Sequence, residues 1–173
     1  MISRRNFLRA LLAGAVVLPF KKVLASQRSE KILNMYNIHT GERLNINYYS
    51  SGVYDRDAID KINYFLRCHY TNEVEDIDIR VLDLLCDIKD TVGKEKEIQI
   101  ISGYRSVAYN DLLIKQGKNV TKNSLHLYGL AIDFSIDGIK SDRLFRIAKS
   151  FEAGGVGKYP EFIHIDVGRI RYW

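Results

Sequence analysis

The sequence predicts a single small α+β domain. Its 173 residues suit one hydrophobic core, and no internal repeat divides them. Short apolar stretches at 32–38, 43–49, 97–102, 130–134 and 161–167 read as strands. Between them lie four stretches with helical spacing, at about 55–69, 78–92, 107–116 and 142–151.

Residues 1–25 stand apart by charge. They contain Arg4, Arg5, Arg9, Lys21 and Lys22 and no acid. Without them the 26 basic residues fall to 21, against 21 acidic ones, so the net +5 belongs to the leader. A nearly neutral remainder argues against a nucleic-acid partner, which would call for a basic patch. Ser3-Arg4-Arg5-Asn6-Phe7-Leu8-Arg9 resembles the twin-arginine export signal. The apolar run Ala10–Phe20 follows, and Val23-Leu24-Ala25 has the small residues of a cleavage site. The expectation is a signal peptide over 1–25, a mature domain over 26–173 and a periplasmic destination. A retained membrane anchor is the competing reading, but the run is too short to span a bilayer comfortably. Cys68 and Cys86 are the two cysteines; they can bridge in an oxidising compartment or serve as small core residues.

In chain order, residues 26–31 are polar and read as a tether. Strands at Ile32–Ile38 and Arg43–Tyr49 flank His39-Thr40-Gly41-Glu42, a hairpin turn that makes His39 a turn residue. Asp55 or Asp57 can cap a helix running to about His69, with Ile59, Ile62, Phe65 and Leu66 on one face. A second amphipathic helix spans about Asp78–Val92 and stops at Gly93. The strand Glu97–Ser102 delivers the chain into Gly103-Tyr104-Arg105, and a helix follows to about Gln116. After a polar loop and the segment 124–134, Ile136-Asp137-Gly138 turns the chain. Ser141 can cap a helix to Phe151. Gly154-Gly155-Val156-Gly157 reads as a flexible bend; it lacks the Lys-Ser/Thr ending of a phosphate-binding loop. Arg169–Trp173 closes the domain as an edge strand or cap.

The chemistry concentrates in Ser124-Leu-His126-Leu-Tyr-Gly129-Leu-Ala-Ile-Asp133 and in His164, within Glu161-Phe-Ile-His-Ile-Asp166-Val. Imidazole and carboxylate are good ligands for a borderline-soft divalent metal, and two His with one Asp leave a fourth position for water. Taken singly, each has a plainer reading, His in a core strand or Asp in a turn. Arg105, just past a strand end, carries a permanent charge that can bind a carboxylate or a developing oxyanion; alone, it reads as a loop arginine.

Ser102-Gly103-Tyr104-Arg105, then Ser124-x-His126-x-x-Gly129-x-Ala131-x-Asp133, then His164-x-Asp166, in that order, resemble the zinc D-Ala-D-Ala peptidases. That group also includes lysostaphin and the hedgehog signalling domain, and the likeness is nearest to its MepK-like branch of periplasmic murein endopeptidases. It covers nearly all of the mature chain. The resemblance implies a central antiparallel sheet bearing one zinc ion per chain, flanked by helices. It implies His126, Asp133 and His164 as the ligands, Arg105 as the residue that steadies the substrate carboxylate or carbonyl oxygen, and peptidoglycan stem peptides or their cross-links as substrate. For the general base the family pattern offers Glu161, three residues before His164. Strand alternation instead puts Asp166 beside His164. Both remain candidates.

The implied reaction is metal-assisted amide hydrolysis, with Glu161 or Asp166 moving the proton and Arg105 stabilising the oxyanion. Two other readings share the fold: a carboxypeptidase trimming uncross-linked stems, and a zinc- or peptidoglycan-binding protein without hydrolysis.

Overall fold

The computed structural model describes residues 30–173, so the expected signal peptide over 1–25 and the first residues of the expected tether lie outside the described part. The strands are β1 (Glu30–Asn37), β2 (Arg43–Ser50), β3 (Val53–Tyr54), β4 (Ile98–Ser102), β5 (Ala131–Ile136), β6 (Gly155–Lys158), β7 (Ile163–Asp166) and β8 (Arg171–Tyr172). The helices are α1 (Arg56–Phe65), α2 (Ile79–Val92), α3 (Val107–Lys115) and α4 (Ser141–Ser150), with a 3-10 turn at Leu125–Tyr128. The result is one α+β domain. No helix among the described residues is long and apolar enough to cross a membrane.

All eight strands form one sheet in the order β3-β2-β1-β4-β5-β7-β6-β8. The sheet is mixed, which corrects the expectation of a wholly antiparallel one. β1 runs parallel to β4, and β6 parallel to β8. The cause is connectivity: β2, β3, α1 and α2 intervene between β1 and β4, a long crossover of the kind parallel neighbours need. The centre, from β4 through β5 and β7 to β6, is antiparallel throughout.

One face of the sheet makes the core. Leu33 and Met35 of β1, Ile98 and Ile100 of β4, Ile132 and Phe134 of β5, and Ile163 and Ile165 of β7 are buried. α2 packs on β1, β5 and β7, and α4 packs on β6 and β7. Because side chains alternate along a strand, the residues between these apolar positions, Asp133 and His164 among them, point to the other face. The core thus fixes which face the polar residues occupy, since a one-residue slip would exchange them.

Helix starts follow local chemistry. Asp55 accepts from the Ala58 N–H, Asp78 from that of Arg80, and Ser106 from that of Tyr109. Several boundaries depart from expectation. Residues 30 and 31 already belong to β1. α1 ends at Phe65, short of His69, because the chain must leave the helix for the Leu66 carbonyl to receive the Tyr104 N–H at 2.8 Å. Lys140, not Ser141, precedes α4 as its cap residue; the Ser141 hydroxyl donates instead to the Pro160 carbonyl at 3.2 Å. The glycine-rich stretch 154–157 is largely strand, since Gly155–Lys158 pairs with both β7 and β8. Cys68 and Cys86 form no disulfide and are buried small residues.

Candidate metal centre

Asp133 on β5 and His164 on β7 sit directly opposite each other in the antiparallel register. Cross-strand partners lie about 4.5–5.5 Å apart at Cβ, so their side chains meet by construction. His126 arrives from the 3-10 turn that precedes β5. That turn ends at Gly129 in the left-handed region (φ +64°), where an added Cβ would lie 2.0 Å from the Asp76 carbonyl oxygen. Both conformation and space therefore demand glycine there.

Three atoms converge. His164 Nδ1 lies 2.8 Å from Asp133 Oδ1, His126 Nε2 lies 3.2 Å from the same oxygen, and the two nitrogens are 3.2 Å apart. All three residues are nearly buried. The far sides of the rings are also engaged. His126 Nδ1 is 2.8 Å from the Gly103 carbonyl oxygen, and His164 Nε2 is 3.1 Å from Asp166 Oδ2. A carbonyl and an ionised carboxylate can only accept, so Nδ1 of His126 and Nε2 of His164 are the N–H donors. With both imidazoles neutral, the convergent nitrogens carry lone pairs.

Two lone pairs and a carboxylate oxygen packed within about 3 Å repel unless something positive lies among them. A divalent cation fits this demand. Four ligands on bonds of about 2.0–2.1 Å in a tetrahedron stand roughly 3.3 Å apart, close to the observed spacing. His126, Asp133 and His164 are the group among the described residues whose ligand atoms cluster this way. The outer contacts from Gly103 and Asp166 are of the kind that orient metal-binding imidazoles.

The electrostatics agree. Burial alone would raise the Asp133 carboxyl, but the two imidazoles hold it far below the usual carboxylate range. Burial pushes His126 down and keeps it neutral. Burial also acts to lower His164, yet the Asp133 and Asp166 carboxylates outweigh it and raise the ring.

Arg105 is buried beside this group. Its Nη2 lies 3.4 Å from Asp133 Oδ2 and 3.3 Å from the Ser102 hydroxyl. Its Nε has no hydrogen-bond partner among the described residues, although it is buried. Such a donor is costly to leave unmet. The guanidinium lines a cleft of about 820 Å³, together with all three candidate ligands and Ser124.

The two candidate bases are placed differently. Asp166 is fully buried and its oxygens are committed. They receive the N–H groups of Gly155 and Gly168, two contacts from Arg171 at 2.8 and 3.2 Å, and the His164 ring. Burial opposes ionisation, but the His164 ring and the N–H groups of Gly168 and Gly155 pull its carboxyl down to about 2. Glu161 is exposed on the loop before β7 and does not line the cleft, whereas its neighbours Tyr159 and Phe162 do. Of the other residues near the ligands in sequence, Tyr128 is exposed and Tyr104 packs on the core.

Several cleft residues escaped the sequence reading. His39 is indeed in the turn, but it stacks on His69 at 3.9 Å, and His69 meets Tyr109 edge-on at 4.8 Å. All three line the cleft. Burial, then His39 and Arg105, push His69 down to about 4. Nothing in their spacing announces this wall, because it joins a turn, a loop and a helix. Arg171 had a weak signal: a buried Asp166 needs a cation, and Arg169 and Arg171 follow closely.

Known proteins resemble this chain over nearly its whole length. The family model described as peptidoglycan L,D-endopeptidase MepK, of peptidase type M15, matches residues 25–173. Peptidoglycan L,D-endopeptidase MepK of Escherichia coli (strain K12) is 37% identical over 163 residues, covering 92% of this chain and 90% of that protein. The probable peptidoglycan L,D-endopeptidase MepK of Haemophilus influenzae (strain ATCC 51907 / DSM 11121 / KW20 / Rd) is 37% identical over 165 residues, covering 92% and 88%. No solved structure gives a significant match. A match over almost the whole described domain, at this identity and with the ligand cluster in place, leaves one conclusion: the chain belongs to the MepK family of peptidoglycan L,D-endopeptidases.

Proposed function

We propose that this chain is a zinc-dependent murein endopeptidase, exported to the periplasm by the twin-arginine route, that hydrolyses amide bonds in peptidoglycan cross-links. The observation that carries the metal reading is the convergence of two imidazole lone pairs and a carboxylate oxygen within 3.2 Å of one another, with both outer ring nitrogens already occupied. A zinc ion there would polarise the scissile carbonyl and make water nucleophilic near neutral pH. His126, Asp133 and His164 would hold it, one ion per chain.

The chain's own residues supply the rest. Arg105 presents guanidinium N–H groups to the cleft, where the amide oxygen gains negative charge during attack. Asp133 Oδ2 keeps that guanidinium in place from one side and Ser102 from the other. The contacts of Asp166 suit an orienting role towards His164 better than proton transfer, because a carboxyl held near 2 is a poor base. Glu161 and Asp166 nevertheless separate cleanly by experiment. Replacing the base lowers turnover with metal retained, whereas replacing the orienting residue loosens the metal.

The test is digestion of purified murein sacculi with and without chelator, beside a defined cross-linked dimer and an uncross-linked stem. An endopeptidase releases monomers from sacculi and dimer, and chelator stops it. Trimming of the uncross-linked stem alone would make the chain a carboxypeptidase. Sacculi that are bound but left intact would make it a binding protein.

A further inference from the structure

We propose that β6 and Trp173 form a brace that positions the His164 imidazole, and that the glycines of β6 are the seat of that brace. The inference rests on the metal reading above. Glycine inside a strand weakens it and commonly marks a place where something approaches closely. Gly155 and Gly157 are two apart and share a face of β6. A Cβ on Gly157 would lie 2.5–2.6 Å from three atoms of the Trp173 indole. A Cβ on Gly155 would lie 2.3 Å from Asp166 Oδ2 and 2.8 Å from Arg171 Nη1. Neither glycine has positive φ, so the requirement is space, not backbone conformation.

What occupies that space is a closed ring of contacts. The indole of Trp173 lies 5.3 Å from the His164 ring, tilted by 45°. The Arg171 guanidinium lies 5.1 Å over the same indole. Arg171 holds Asp166 by two contacts, and Asp166 holds His164 Nε2. The ring therefore begins and ends on His164. Trp173 is itself fixed, by its N–H on the Val156 carbonyl, its carbonyl on the Lys158 N–H, and its indole N–H on the Tyr159 hydroxyl at 3.3 Å.

The physical need is plain. One hydrogen bond at Nε2 fixes a point on the imidazole but leaves it free to rock about that bond. A rigid aromatic surface against the ring removes the rocking, and with it the wander of Nδ1. Trp173 thus acts through His164, as a positioning residue, and Gly157 acts through Trp173.

The experiment compares full-length wild type, Trp173→Ala, Trp173→Phe, Gly157→Ala and, as control, His126→Ala. Zinc affinity is measured by competition with a chromogenic chelator, and folding by circular dichroism of each apoprotein. Partners that orient ligands typically change metal affinity 10- to 100-fold. Trp173→Ala and Gly157→Ala are expected to weaken zinc by that range with an unchanged apoprotein spectrum, while Trp173→Phe stays close to wild type. Should Gly157→Ala not fold, the contrast between Ala and Phe at 173 decides. Wild-type zinc affinity in Trp173→Ala, with His126→Ala losing the metal, overturns the brace alone. Failure of the wild type to bind zinc overturns the metal reading beneath it.

Discussion

Asp166→Asn is the substitution that separates orientation from proton transfer. It keeps the shape of the side chain and removes its charge. In the native protein that charge faces Arg171, two backbone N–H groups and the His164 ring. Its folded pKa of about 2, against 3.8 for an ordinary aspartate, is worth at most about 2 kcal/mol at about 1.4 kcal/mol per pH unit. The folded value is depressed, so this stabilisation is complete above about pH 4 and lost as pH falls towards 2. The variant should therefore be less stable than wild type at pH 7 by up to that amount, and the gap should close in acid. Urea unfolding of chelator-treated proteins at pH 7 and pH 3 reads both. Zinc affinity should also fall 10- to 100-fold, because the Gly155 and Gly168 N–H groups keep the amide oxygen at the Oδ1 position and so turn its NH2, a donor, towards the His164 Nε2–H. If Asp166→Asn keeps wild-type zinc affinity and stability and loses turnover alone, Asp166 is the base and the orienting argument fails.

Other substitutions probe the remaining parts. Arg105→Ala should lower turnover by about two to three powers of ten with metal content unchanged, read by dimer hydrolysis and metal analysis. Gly129→Ala should destabilise the fold by about 1–3 kcal/mol or more, since it forces a side chain into positive φ against the Asp76 carbonyl; thermal melting checks it. His69, held at about 4 against an ordinary 6.5, favours its neutral form when folded. Its contribution is therefore complete above pH 6.5 and lost as pH falls towards 4, and His69→Phe should flatten the stability profile in that window. Zinc added to chelated protein should raise the melting temperature with concentration, as any ligand specific to the folded state does.

Much of the fold was legible because its causes are local. Ile32, Leu33 and Met35, or Ile98 and Ile100, announce strands through apolar content, and Asp55 and Asp78 announce helix starts through their side chains. Asp133 and His164 stood out as candidate ligands because each interrupts an apolar strand with a group that burial alone would not tolerate, and the structure brings their side chains together. The parallel pairings were hidden, since they depend on how the chain crosses from β1 to β4. The strand at Gly155–Lys158 was hidden because glycine signals both a bend and a close approach, and the approaching groups, Asp166, Arg171 and Trp173, come later in the chain. The His39–His69–Tyr109 wall was hidden for the same reason of distance. The grip of Arg171 on Asp166 was only weakly signalled, because Arg169 and Arg171 follow Asp166 alike and spacing alone does not say which turns back to it.

The proposed function depends on His126, Asp133 and His164 sharing one metal ion. The decisive measurement is metal analysis of purified wild type, His126→Ala, Asp133→Ala and His164→Ala, each reconstituted with zinc and desalted. One equivalent of zinc is expected in the wild type and a large loss in every variant. Stoichiometric zinc retained by all three variants would contradict it.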